Sequence, residues 1–360
     1  MILDSLLDRI RGRAIAIPPM DGALRPNTAL DEAAPVLSVD APDNLCGAGG
    51  QVLFSSAGEI LALPAFRAGE PMPVAAYGTP VSALAVSPGG QQAVGLDDGR
   101  VTVGAGGPAE RAIVPPEGRG CPTALAFLDE ATLLVCHGSA SRRPSDWAAD
   151  LMEKNAGGSV WRVDLPSGRQ SCLARGLAFP QGLLVDPAGG RLIVAESWRH
   201  RLVAIPLSGG AVTSVLADLP AYPARLAPAD GGGAWLALFA PRNRLIEFVL
   251  RETTYRADMM REIPREHWIA PALTSGASFL EPLQCGGVKT MGIRKPWSPS
   301  RSYGLVARLD REMQPVESFH SRTNGVRHGV TSVVESGSRL LVSAKGGGVI
   351  LAIDRRGGEG

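Results

Sequence analysis

Short apolar runs alternate with turns rich in Gly, Pro and Asp along this chain, and the alternation itself repeats. The clearest unit opens Phe179-Pro180-Gln181-Gly182-Leu183 and turns at Asp186-Pro187-Ala188-Gly189-Gly190. It continues with Arg191-Leu192-Ile193-Val194-Ala195 and Arg201-Leu202-Val203. Related openings stand at Ala41-Pro42-Asp43-Asn44-Leu45, Thr79-Pro80-Val81-Ser82-Ala83, Cys121-Pro122-Thr123-Ala124-Leu125 and Tyr222-Pro223-Ala224-Arg225-Leu226. A sixth, without proline, follows Gly329 as Val330-Thr331-Ser332-Val333-Val334, with Leu340-Leu341-Val342 behind it. Apolar runs of this length between turn residues predict strands. A repeat of roughly 40 residues with this grammar predicts a β-propeller with one four-stranded sheet per blade. The expected fold is therefore all-β, with six blades. The first residues of each innermost strand should line the central channel. That nominates Asp43, Val81 or Ser82, Thr123, Gln181, Arg225 and Thr331.

Three stretches depart from the repeat. In residues 1–34, Ile2, Leu3, Leu6, Leu7 and Ile10 share one helical face, and the arm behind them carries Pro18-Pro19, Asp21-Gly22 and Pro26-Asn27. The helix is too short and too charged for a membrane span or a signal sequence. It is expected to pack on the propeller, the alternative being peripheral contact with a membrane surface or a partner. The propeller is assigned residues 35–360, and its last blade runs out after Val349-Ile350-Leu351-Ala352-Ile353. Pro35 to Val39 should supply the missing strand, closing the ring and covering an open sheet edge.

Within the propeller, Ser139 to Gly158 inserts Trp147, Leu151 and Met152 at helical spacing, with Ser145 or Asp146 as cap. A larger interruption, about residues 251–302, is expected between blades five and six. It holds a predicted helix at Tyr255 to Glu262 and the mixed segment Lys289 to Trp297. Long excursions from a repeat commonly cover a binding face.

Composition changes this picture little. A chain of 360 residues would ordinarily divide into two or three domains, but repeats extend one continuous structure. The 44 glycines and 29 prolines supply the tight turns that many short strands need. A net charge of +1 gives no basis for nucleic-acid binding. The five cysteines are scattered without metal-site spacing, which predicts buried free thiols in a cytoplasmic protein.

Several segments resemble the strictosidine synthase family. They are Gly157-Gly158-Ser159-Val160-Trp161-Arg162-Val163-Asp164, Glu196-Ser197-Trp198-Arg199-His200-Arg201-Leu202, Leu219-Pro220-Ala221-Tyr222-Pro223 and Tyr303-Gly304-Leu305-Val306-Ala307-Arg308-Leu309-Asp310. The resemblance runs from about Ala41 to Asp354 and implies a six-bladed propeller related to the gluconolactonase and senescence-marker-protein group. In those lactonases it implies a calcium or zinc ion held by a Glu of blade one, an Asn in the Phe-x-Asn-Gly opening and an Asp of a later blade. Here Asp43 stands at the early acid and Gln181 replaces the Asn. Ala224-Arg225 and Thr123-Ala124 occupy the positions of Asp-Asn and Asn-Asp. Hard cations want several anionic oxygens, and a guanidinium opposes them, so no resident metal is expected, and weak calcium binding is not favoured. In true strictosidine synthases the resemblance implies a catalytic Glu at the start of the last blade. Thr331 stands there and cannot serve as an acid–base group, so strict Pictet–Spengler activity is not expected.

The remaining working set for chemistry is Asp43 or His328 as general base, with Arg225 as orienter or oxyanion donor. Gln181, Thr123, Ser82, Thr331 and Lys345 are the candidate substrate-binding residues. Arg225 is equally readable as a structural ion-pair partner of Asp43. Lys345, before Gly346-Gly347-Gly348, is either a turn lysine or a cation over the pocket; no helix follows that would make the glycines a phosphate loop. Three function classes stay open. One is an enzyme acting on a small molecule in the channel, a hydrolase of a lactone, ester or related carbonyl compound. The second is a non-catalytic small-molecule or protein-binding propeller with a decayed metal site. The third is a cyclase or C–N bond-forming enzyme of secondary metabolism.

Overall fold

The computed structural model describes residues 17–64, 69–107, 109–115, 118, 120–186, 189–274, 289–290, 293–294 and 301–355. Six four-stranded antiparallel sheets make the blades of a β-propeller. Their inner strands are Pro42–Ala48, Val81–Val86, Pro122–Asp129, Pro180–Asp186, Ala221–Pro228 and Val330–Ser336. The second strands, such as Gln51–Ser56, Arg191–Glu196 and Ala234–Pro241, are buried along almost their whole length. Each sheet packs face to face between two others, so these strands read as continuous apolar runs rather than alternating ones. The apolar layers between blades form the core; Leu192, Val194, Val203 and Ile205 are fully buried in one such layer.

The ring closes as the sequence predicts. Ala34–Ser38 pairs antiparallel with Val349–Asp354, so the last blade takes its outermost strand from the N-terminal side. The arm before it is more ordered than an extended segment. It holds a 3-10 turn at Gly22–Leu24 and a helical turn at Ala29–Glu32. It also docks on the outer strand of blade five, Pro315–Ser321: Asn27 Nδ2 donates to the Ser318 carbonyl at 2.8 Å and Ser321 Oγ to Asp31 at 2.6 Å. The helix expected within residues 1–10 lies outside the described residues.

The larger insertion requires a correction. Gly304–Leu309 pairs with Ala234–Pro241, with Leu305 opposite Leu238. The excursion between Pro241 and Gly304 therefore sits inside blade five, between its second and third strands, not between blades five and six. The physical reason is direction: a second strand runs back toward the channel mouth, so an insertion at its end is delivered to the mouth. Two helices begin the insertion. Asn243 caps Arg244–Arg251 by accepting from the Ile246 N–H at 2.8 Å. The second, Thr253–Glu262, covers the helix predicted from Tyr255. Of the segment Lys289 to Trp297, only a small antiparallel pair, Lys289–Thr290 with Ile293–Arg294, lies within the described residues.

Candidate functional site

Each inner strand begins with a β-bulge, and the bulges build the channel. In blade two Val81 faces Leu96 and Ala83 faces Gly95, leaving Ser82 outside the ladder. Thr123, Gln181 and Thr331 are left out in the same way. Blades one and five carry one extra residue within Asn44-Leu45 and Ala224-Arg225. A bulged residue loses its ladder partner and is re-aimed. Here that frees the main-chain carbonyls of Ser82, Thr123 and Gln181 to serve the axis.

Arg225 uses them. Its Nη1 donates to the carbonyls of Thr123 at 2.7 Å and Gln181 at 3.3 Å, and its Nη2 to the carbonyl of Ser82 at 2.8 Å. Its Nε and Nη2 donate to the two carboxylate oxygens of Asp43 at 3.2 and 3.4 Å. One guanidinium from blade five thus joins blades one, two, three and four. Lys345 Nζ, in a 3-10 turn of blade six, meets the second Asp43 oxygen at 3.0 Å. Burial alone would raise the pKa of Asp43, but Arg225, Lys345 and the Asn44 N–H outweigh it and hold the carboxyl well below the usual range. Asp43 is therefore a carboxylate whose ionised form is favoured by two clasping cations.

Above this floor lies a cavity of about 260 Å³. Asp43, Val81, Ser82, Thr123, Gln181, Arg225, Thr331 and Lys345 all line it, so the repeat-based assignment of the axis holds in every blade. The hydroxyls of Ser82 and Thr331 are buried there without a protein partner. Thr123 contributes wall rather than a free hydroxyl, because its Oγ1 donates to the Pro180 carbonyl. Gln181 accepts from Ser197 Oγ at 3.2 Å. A buried hydroxyl without a protein partner beside a cavity marks a place where a water or a ligand atom can be taken up.

His328 does not join the set. Its ring pairs through Nδ1 with Ser302 Oγ at 2.8 Å and through Nε2 with the Arg322 carbonyl at 2.9 Å. It is buried, with its ring 6.4 Å from that of Tyr303, and is not part of the cavity lining, so the structure does not bring it to the axial residues as a general base. Glu335 is structural too: it accepts from Trp235 Nε1 at 2.7 Å and pairs with Arg355. Glu196 is wholly buried between Arg199 and Arg201, each at 2.5 Å.

The cover was not legible residue by residue. The blade-three insertion forms a 3-10 turn, Pro144–Asp146, and a helix, Trp147–Glu153. Ser145 does not cap this helix; its N–H and hydroxyl both donate to Asp97 of blade two, at 2.7 and 2.9 Å. That fixes Trp147 over the cavity, edge-on to Phe239 with centroids 5.4 Å apart. Phe179 completes the aromatic wall and stacks on Trp198 at 4.6 Å. Leu273, from the blade-five insertion, reaches the cavity across the glycine run. A Cβ on Gly346 would collide with the Leu273 carbonyl, so this close approach requires glycine.

Comparison with known proteins places the chain among propellers. No family model matches it. Over 178 residues it is 26% identical to protein strictosidine synthase-like 13 of Arabidopsis thaliana, covering 49% of this chain and 38% of that protein. Over 95 residues it is 28% identical to the adipocyte plasma membrane-associated protein of Danio rerio, covering 26% of this chain and 23% of the relative. The chain thus spans about a quarter to two fifths of the curated relatives it matches. A crystal structure assigned to a gluconolactonase superposes with a TM-score of 0.55 at 12% identity, covering 89% of this chain and 91% of that one. A luciferin-regenerating enzyme superposes with a TM-score of 0.50 at 12% identity, over 85% and 84%. These two likenesses are of fold.

The residues present do not suit the divalent ion that such a relationship implies. The axial oxygens already accept from a guanidinium, and three of the four groups are neutral carbonyls. The one carboxylate is balanced twice over, by Arg225 and Lys345. A dication placed there would face uncompensated positive charge.

Proposed function

We propose, for this strictosidine synthase-like six-bladed propeller, that the channel mouth binds a small organic molecule combining a flat apolar body with a carbonyl or carboxylate oxygen. One observation carries the reading: the unpartnered hydroxyls of Ser82 and Thr331 share a cavity with the Lys345 ammonium, Trp147, Phe179 and Phe239. Blades six and two, on either side of blade one, supply the hydroxyls and the ammonium; blades three to five supply the aromatic rings. An acceptor oxygen would take hydrogen bonds from Lys345 and a hydroxyl, while the body lies against the rings. Arg225 is spent on the floor and serves only as a fixed positive field.

Turnover of such a ligand, as hydrolysis of a lactone or ester, is the second reading. The gluconolactonase-like fold favours it, and so does an ammonium in the cavity lining, a group able to stabilise a developing oxyanion. Asp43 would be a poor proton acceptor in that reaction, since Arg225 and Lys345 hold its carboxyl well below the usual range. Its part would be to hold Lys345 in place. The test is a panel of aryl carboxylates, lactones and aryl esters, followed by calorimetry and by release of acid in the presence of a chelator. Binding of an aromatic carboxylate or lactone, weakened at least tenfold in Lys345→Met, is expected. Undiminished binding in that variant would end the proposal; binding without acid release would leave the hydrolase reading unsupported.

A further inference from the structure

We infer that Arg225 is itself the channel's cation: the bulged inner strands form an oxygen cage shaped for a planar guanidinium, and the chain supplies that ion from its own fifth blade. The five N–H groups of the side chain each find an acceptor, one from Nε, two from Nη1 and two from Nη2. The acceptors come from four different blades. The side chain is only 14% exposed, and Asp43 only 6%. A fork of five fixed donors matched to five contacts is a recognition site for one ion shape, and a spherical ion cannot reproduce it. Charge points the same way. Asp43 already has Lys345 beside it, so a dication in place of the guanidinium would add still more uncompensated positive charge.

The consequence is a site that should be separable from its ligand. In Arg225→Ala the carbonyls of Ser82, Thr123 and Gln181 would keep their bulged positions, because the ladders on either side hold them. The cage should then accept a free ion of the lost shape. This inference does not depend on the ligand proposed for the cavity above.

Thermal unfolding of Arg225→Ala, Arg225→Lys and the unaltered chain, each with methylguanidinium, potassium or calcium at up to about 20 mM, tests it. Methylguanidinium should raise the melting temperature of Arg225→Ala in proportion to the logarithm of its concentration, by about 2 °C at ten times its dissociation constant, and leave the unaltered chain unmoved or slightly lowered. Arg225→Lys should melt below the unaltered chain, because an ammonium lacks the planar fork. If Arg225→Ala does not fold alone, the ions are added during refolding; recovery with methylguanidinium supports the inference. Recovery or stabilisation by calcium in preference to methylguanidinium would overturn it in favour of a metal cage. No response to any ion, or an Arg225→Lys variant indistinguishable from the unaltered chain, would also overturn it.

Discussion

The floor of the channel and its cover are built by different means. The floor comes from one position of a repeated unit, used six times: the bulged start of each inner strand. The cover comes from the connections between second and third strands. Asp97, the stretch 144–147 and Leu273 belong to such connections in blades two, three and five; Lys345, from the same connection of blade six, reaches down to the floor. Both classes of segment end at the same mouth, because the first strand leaves it and the second returns. The floor is held by charge on main-chain oxygens, the cover by a few side-chain contacts and aromatic packing. Damage to the floor should therefore cost global stability, whereas damage to the cover should cost order at the mouth alone.

The largest effect should come from removing what both regions depend on, the closed ring. Deleting residues 1–40 takes away Ala34–Ser38 and leaves Val349–Asp354 as an open edge. The truncated chain is expected to aggregate, as read by size-exclusion chromatography; a monomer with an unchanged melting temperature would break the account of closure.

Next comes the floor itself. Asp43→Ala leaves Arg225 and Lys345 buried or half-buried without their anion, which should cost about 3–5 kcal/mol in urea denaturation at pH 7. The pH dependence sharpens this. Asp43 titrates lower in the folded than in the unfolded chain, so its stabilisation is complete above the unfolded value near ~4 and fades as the pH falls below it. The gap between the unaltered chain and Asp43→Ala should accordingly narrow as the pH drops from 5 toward 3. A gap that stays constant would mean the carboxylate charge is not what holds the floor.

The smallest effect belongs to the cover. Ser145→Ala removes one of the two donors to Asp97 and should lower global stability by about 1 kcal/mol or less. Hydrogen exchange should rise in residues 144–153 and stay unchanged in the inner strands. Loosening of the inner strands by this substitution would contradict the separation of floor from cover.

Of the candidate site, the axial residues were readable because the repeat announces them. Asp43, Ser82, Thr123, Gln181, Arg225 and Thr331 each follow the same opening, and all meet at one cavity. His328 misled for an instructive reason. It sits next to the sixth opening in sequence, but its ring pairs with Ser302 and the Arg322 carbonyl instead of facing the axis. Phe179 belongs to the blade-four opening and Trp147 to the helical spacing of the blade-three insertion, but nothing along the chain brings them together with Phe239, since that meeting depends on the mutual placement of three blades.

By itself, then, the amino-acid sequence determined the six blades, the closing strand and the identity of the axial residues, because periodic apolar runs and turn residues are local properties that need no partner to be read. Only the tertiary structure decided that the large insertion belongs to blade five, that Lys345 faces the cavity, and that Arg225 is consumed by main-chain carbonyls of other blades. Those outcomes rest on bulges and on distances between residues up to 302 positions apart, such as Asp43 and Lys345. No pattern along the chain encodes the direction in which a freed carbonyl points.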